Sequence, residues 1–192
     1  MRWSNTDYSY GMISIVLHWL VAAAVLALFA LGLWMVQLNY YHSWYRDAPA
    51  IHKSVGMTLA AILILRLWWR WTNPKPRVQG TDLDSLAAGV VHGLLYILLI
   101  GVLISGYLIS TADGRPIDVF DVFRVPALLS GLPQQEDAAG LVHQILAYAL
   151  VGLTALHSAA AFRHHFVDHD ATLVRMLYPR AGSTLRSNTR EN

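Results

Sequence analysis

The sequence contains no cysteine. This absence excludes disulfide bonds, thiolate zinc sites, iron–sulfur clusters and haem attached covalently through a C-x-x-C-H motif. Charged residues are also scarce, at 14% of the chain against about 25% in a typical soluble domain. The net charge of +2 gives no indication of nucleic-acid binding. Low charge together with 55% hydrophobic residues indicates a membrane protein.

Four segments have the ~20 mainly apolar residues that a membrane-spanning helix requires. Each must be helical, because lipid cannot satisfy open backbone groups. We therefore predict an all-α fold, an integral membrane four-helix bundle formed by residues 1–180, with a disordered cytoplasmic tail at residues 181–192. We expect no cleavable signal peptide, since the first apolar run is too long for one. The four spans are expected at about 12–38, 52–71, 86–110 and 141–162.

Lysine and arginine are concentrated on one side of this arrangement, which predicts that both termini are cytoplasmic. On that side, the loop between the second and third spans contains Lys75 and Arg77, and the C-terminal segment adds five arginines. The opposite loops carry three arginines against a larger number of acids. These acids are Asp113, Asp118, Asp121, Glu136 and Asp137.

Four histidines form two pairs at matched depths in the predicted spans. His143 and His157 are fourteen residues apart in the last span, so they face nearly the same way, roughly 21 Å apart along the helix. His52 starts the second span level with His143, and His18 lies in the first span level with His157. Ionisable groups in a membrane are costly and are functional candidates. Two imidazoles from different helices at each level predict axial ligation of two haem irons within the bundle.

Other readings of these histidines remain open. A single histidine near a helix end is more often an interfacial residue than a ligand, and the same four could form a proton pathway without haem. His92 is expected level with His18 and could replace it as a ligand, or bind a haem propionate or a quinone. We rank His92 as a non-ligand, because His18 lies deeper. His165 and His169 could bind a metal, but an amphipathic interfacial segment is favoured.

Two basic residues are candidates for holding haem propionates. Arg66 follows His52 by fourteen residues, so it returns to the same helix face at the depth of His18. A buried arginine needs a partner, and its guanidinium suits a carboxylate. The alternative is that Arg66 extends to the cytoplasmic headgroups. Lys53, next to His52, could bind the outer haem's propionates or the outer headgroups.

Four stretches of the sequence resemble the bacterial cytochrome b561 family. They are SIVLHW at 14–19, IHKSVGM at 51–57, the spaced pair His143 and His157, and the segment HSAAAFRHHFVDHDATLVRM. The resemblance covers the chain up to about Arg180. It implies a four-helix inner-membrane protein with two haem b groups. Carried over by position, His18 and His157 would hold the cytoplasmic-side haem, and His52 and His143 the outer-side haem.

The resemblance also implies a function in electron transfer to quinone. The resemblance to short stand-alone members of the family implies oxidation of superoxide, with ubiquinone as the electron acceptor. Arg46, Lys53 and Arg115 could attract the superoxide anion. The alternative is a cytochrome subunit that relays electrons from a partner dehydrogenase or hydrogenase. The implied partners are therefore lipid, quinone, and either superoxide or a redox protein, and no residue is assigned a catalytic role.

Overall fold

The structure, a computed structural model, describes residues 3–76 and 81–179. The tail predicted at residues 181–192 lies outside these residues, as do Arg77 and Arg180. Four of the helices in the described part are long and apolar enough to cross a membrane, which confirms the predicted helical bundle. They are α1 (Met12–Met35), α2 (Asp47–Thr72), α3 (Asp82–Ser110) and α4 (Gln135–Phe166), followed by the short α5 (Thr172–Arg175).

The helix ends follow local sequence signals. α2 begins at Asp47, five residues earlier than the apolar pattern indicates, because an acidic residue and Pro49 both suit a first turn. α2 ends at Thr72, two residues before Pro74. α3 begins with a capping box, in which the Thr81 hydroxyl accepts from the Asp84 amide and the Asp84 carboxylate accepts from the Thr81 amide.

The four long helices form two antiparallel pairs, α1 with α2 and α3 with α4. A small apolar cluster of buried leucines joins α2, α3 and α4. Leu59 and Leu63 of this cluster follow His52 on α2, and Leu150 lies midway between His143 and His157 on α4. The cluster therefore separates the two levels at which the histidines lie.

A β-hairpin interrupts the loop between α3 and α4. Strand β1 (Ile117–Val119) pairs with β2 (Phe123–Val125) in antiparallel register. The two central residues of the Val119–Val122 turn, Phe120 and Asp121, have φ of 50° and 58°. Such a turn normally contains Asn or Gly, so the sequence carried no hairpin signal.

The hairpin is attached to α2. Ile117 and Val119 are buried, and the Ser54 hydroxyl donates to the Asp118 carbonyl and accepts from the Phe120 amide. Ser54 lies only two residues after His52. The hairpin therefore lies against the bundle at the end that contains His52.

Candidate cofactor site

Two pairs of imidazoles face each other inside the bundle. We call His52 and His143 the outer pair and His18 and His157 the inner pair, after the predicted topology. The ring centroids are 6.3 Å apart in the outer pair and 6.5 Å apart in the inner pair. Each pair draws on two helices, α2 and α4 for the outer pair and α1 and α4 for the inner pair. The structure thus brings together the histidines that the sequence paired by depth.

The spacing of both pairs fits a metal ion between the rings. Two imidazoles on opposite sides of one ion, each bonded at about 2 Å, have ring centroids roughly 6 Å apart. The separations of 6.3 Å and 6.5 Å match this value. The Nδ1 atom of His52 is buried without a hydrogen-bond partner in the described structure. The separation of the rings therefore fits a bis-imidazole iron site.

Glycines make room for the outer pair. A Cβ atom added to Gly106 on α3 would lie 3.0 Å from Cε1 of His143, closer than nearly all real contacts of this kind. A Cβ atom added to Gly32 on α1 would lie 3.4 Å from Cε1 of His52. A side chain at Gly106 would therefore push the His143 ring out of its present position.

His143 of the outer pair has a hydrogen bond that fixes its ring. Its Nδ1 lies 2.9 Å from the Val102 carbonyl and 3.2 Å from the Ser105 hydroxyl, both on α3. Because a carbonyl only accepts, Nδ1 carries the proton and Nε2 is left with a free lone pair. Orientation of this kind, with the second nitrogen held by a backbone carbonyl, is usual for metal-binding histidines.

Arg66 lies beside the inner pair, with one amino group lacking a partner. Its Nε donates to the Tyr96 hydroxyl at 3.0 Å, and its Nη2 donates to Nδ1 of His18 at 2.9 Å. Its Nη1 is buried without a hydrogen-bond partner, and no carboxylate of the described residues pairs with it. A buried guanidinium without an acidic partner fits a carboxylate supplied by a cofactor.

The bond between Arg66 and His18 bears on how haem would fit. A neutral imidazole that accepts at Nδ1 carries its proton on Nε2, and a protonated Nε2 cannot bind iron. Arg66 must therefore leave His18 when His18 binds iron through Nε2. A propionate near the unpartnered Nη1 atom would give the guanidinium that alternative partner. The residues present fit two haem groups on this condition.

Lys53 and His92 are the two remaining positions that the sequence offered as cofactor-binding candidates. Lys53 is exposed, so it is available to a propionate or a headgroup near the surface. His92 on α3 lies with its ring centroid 5.2 Å from that of His157. Tyr96, which sequence reasoning missed, is one turn beyond His92 and also lies under the guanidinium of Arg70 at 5.5 Å. An aromatic residue in an apolar helix gives no sequence signal that it will contact two arginines.

The outer loops contain ion pairs that reduce their positive field. Arg115 pairs with Asp113 at 3.2 Å, and Arg124 pairs with Asp118 at 2.6 Å. Both arginines are largely exposed. Of the three basic residues considered for attracting an anion, Arg115 is thus already neutralised by its neighbour.

The end of α4 and the residues that follow it contain three histidines, His164, His165 and His169. Among the described residues, no group of three or more potential metal-binding side chains comes together. Instead Nδ1 of His164 lies 3.2 Å from Asp168 and 3.1 Å from Asp170. Burial raises the pKa of Asp170, but hydrogen bonds from Thr172 and the nearby His164 outweigh it, so that this pKa is below its ordinary value. These contacts fold the chain back at the end of α4.

Comparison with known families now identifies the fold. Residues 9–179 match the family described as prokaryotic cytochrome b561. The chain belongs to that family. Among prokaryotic cytochromes b561, it is 49% identical to cytochrome b561 homolog 2 of Escherichia coli strain K12, over 92% of this chain and 95% of that protein. Membership implies a membrane protein of electron transfer that binds b-type haem.

Other relatives are more distant. The chain is 30% identical to cytochrome b562 of Cereibacter sphaeroides, over 89% of this chain and 96% of that protein. It is 27% identical to a protein of Yersinia pestis named probable superoxide oxidase CybB, over 90% of this chain and 98% of that protein. The name of a superoxide oxidase therefore comes from a distant relative.

Proposed function

We propose that this cytochrome carries electrons between a donor at the outer face and a quinone in the membrane, through two haem b groups at two levels of the bundle. His52 and His143 would hold the outer haem, and His18 and His157 the inner haem. The observation that carries the proposal is the separation of 6.3 Å and 6.5 Å between the paired rings, which fits one iron in each pair.

Each haem supplies a one-electron Fe(III)/Fe(II) couple, and the protein supplies ligands, spacing and local charge. With two imidazoles held towards each iron, the haems would supply electron transfer without binding oxygen directly. Leu59, Leu63 and Leu150 keep the space between the two levels apolar.

Basic side chains near each pair anchor the haem propionates. Arg66 does so at the inner pair, where its Nη1 atom is buried without a partner. Lys53 does so at the outer pair, from its exposed position next to His52. A guanidinium close to the inner haem also stabilises the reduced, less positive iron, which raises the potential of that haem.

The proposed reaction is superoxide oxidation coupled to ubiquinone reduction. Two superoxide anions lose one electron each and become dioxygen, while one ubiquinone takes up the two electrons and two protons. The name of the Yersinia pestis relative supports superoxide as the donor. Arg46 and Lys53 are the basic residues at the start of α2 that attract the anion.

A second candidate is a relay that takes electrons from a partner dehydrogenase or hydrogenase. The ion pairs of Arg115 and Arg124 favour it, because they cancel positive charge that would attract superoxide. Exposed apolar side chains of the hairpin, Val122 and Phe123, offer a contact surface for a protein.

The proposed location is the bacterial inner membrane, with both termini in the cytoplasm. The distribution of basic residues supports this orientation, since Arg70 and Lys75 lie at the end of α2 that is close to the start of α1. The inner pair then lies towards the cytoplasm and the outer pair towards the periplasm.

The test uses the purified haem-loaded protein in liposomes that contain ubiquinone. Superoxide is added by rapid mixing, and haem reduction and quinol formation are followed by absorbance. The proposed reaction predicts prompt haem reduction, followed by quinol formation that is abolished by superoxide dismutase. A protein that superoxide does not reduce, but that is purified with a redox partner and is reduced through it, would replace this reaction with the relay.

A further inference from the structure

His157 has two imidazole neighbours at different distances. Its ring centroid is 6.5 Å from that of His18 and 5.2 Å from that of His92. Two imidazoles joined directly by an N–H···N hydrogen bond of about 2.9 Å have ring centroids roughly 5 Å apart. The His18 distance therefore fits a metal ion between the rings. The His92 distance is too short for an ion but fits a hydrogen bond.

The outer pair shows what the inner pair lacks. Nδ1 of His143 has the Val102 carbonyl as an acceptor at 2.9 Å. Among the described residues, the structure gives no such acceptor for the ring of His157. The second nitrogen of a metal-binding histidine almost always donates to an acceptor, which fixes the tautomer and the ring orientation. A neighbouring side chain could give His157 the acceptor that the Val102 carbonyl gives His143.

We infer that His92 is a positioning residue, which accepts a hydrogen bond from Nδ1 of His157 and so directs Nε2 of His157 towards the inner haem. The inference rests on the proposed function, because it takes His157 as an axial ligand. The two rings now meet edge to face at 66°. The two rings share no hydrogen bond in the described structure, so the role requires the His92 ring to turn about its Cβ–Cγ bond, a soft torsion, until a nitrogen faces Nδ1 of His157.

The position of His92 suits this role better than ligation. It lies on α3, the helix that also supplies the acceptor for His143. Both α4 ligands would thus be oriented from α3, one by a backbone carbonyl and the other by a side chain. An imidazole ligand that donates its Nδ1–H to an acceptor becomes more basic, which stabilises ferric iron and lowers the haem potential.

The experiment compares two substitutions of His92 in the haem-loaded protein. His92→Phe keeps a ring at the position but cannot accept a hydrogen bond. His92→Gln keeps an acceptor in its side-chain carbonyl. The measurements are haem content per chain, the low-spin ferric EPR signals, and the midpoint potentials of both haems. Ser105→Ala is the matched control at the outer pair, because it leaves the Val102 acceptor in place.

We expect His92→Phe to raise the midpoint potential of the inner haem, alter its EPR signal and weaken its retention about 10- to 100-fold. The outer haem keeps its signal and potential. His92→Gln restores all three properties of the inner haem to near the values of the unsubstituted protein. A protein lacking the outer haem, through His52→Ala, assigns the signals to each level.

Two results would overturn the inference. In the first, His92→Phe leaves both haems unchanged, and His157 then has no need of this acceptor. In the second, Phe and Gln remove the inner haem equally, which would make His92 a ligand or a purely structural residue. If the Phe variant does not accumulate, His92→Leu against His92→Gln provides the same comparison. None of these measurements requires superoxide or quinone, so a failure of the proposed reaction would be seen separately.

Discussion

The outer and inner pairs have nearly the same ring spacing but different surroundings. At the outer pair, the His143 ring is held by a carbonyl and fitted against a glycine, so its orientation is set before any cofactor binds. At the inner pair, Arg66 occupies Nδ1 of His18, and among the described residues no acceptor is in place for His157. Nδ1 of His52 in the outer pair also lacks a partner, so the difference indicates that His143 is the most preorganised of the four rings and that the inner site rearranges when haem binds.

Removing a ligand gives the largest expected effect, and it differs between the levels. His157→Ala should abolish the inner haem and keep the outer haem, because the leucine cluster separates the two levels. His143→Ala should do the reverse. Quantitative haem determination and reduced-minus-oxidised spectra of both variants provide the measurement. If either variant retained two haems, the altered histidine would not be an axial ligand.

A side chain at Gly106 should damage the outer haem selectively. In Gly106→Val the added Cβ would lie 3.0 Å from Cε1 of His143. Overpacking of this kind typically costs about 1–3 kcal/mol of stability. We expect lowered outer-haem occupancy with the inner haem intact. Gly152→Val, where an added Cβ meets nothing within 4 Å, is the matched control. Equal haem loss from both variants would contradict a specific role of Gly106.

Removing the charge of Arg66 should lower the potential of the inner haem. Arg66→Leu takes away a cation that favours reduced iron, and it also releases Nδ1 of His18. A redox titration should show one midpoint potential shifted downward and the other unchanged. Arg66→Lys, which keeps the charge, should shift it less. An unaltered titration of Arg66→Leu would mean that the guanidinium extends to the membrane surface.

The smallest effect is expected from Ser105→Ala. The Ser105 hydroxyl lies 3.2 Å from Nδ1 of His143, but it already donates to the Gly101 carbonyl at 2.7 Å. The Val102 carbonyl therefore remains the acceptor of the ring. The free energy of unfolding should fall by about 1 kcal/mol or less, with the outer-haem potential unchanged. A large shift in that potential would show that the hydroxyl, rather than the carbonyl, orients His143.

Much of this architecture could be predicted from the sequence. Long uncharged runs require helices in a membrane, and helical periodicity is regular enough to place His143 and His157 on one face. The same reasoning predicted Arg66 at the depth of His18, and in the structure Nη2 of Arg66 lies 2.9 Å from Nδ1 of His18. Periodicity gives depth and direction, and those were the quantities needed to pair the four histidines.

Other features have no sequence signal of this kind. The acceptor for His143 is the backbone carbonyl of Val102, and any residue could supply it. The hairpin turn uses Phe120 and Asp121 at positive φ, where local preference favours Asn and Gly. Contacts between His92 and His157 depend on how closely α3 and α4 approach, which is set by tertiary packing.

The most direct test of the account is the number of haems bound per chain. The purified protein, expressed with ample haem supply, should contain two b-type haems per polypeptide by the pyridine haemochrome assay and amino-acid analysis. Both should be low-spin, as two imidazoles at each iron require. A stoichiometry of one haem, or a colourless protein, would contradict the two-level arrangement of His52 with His143 and His18 with His157.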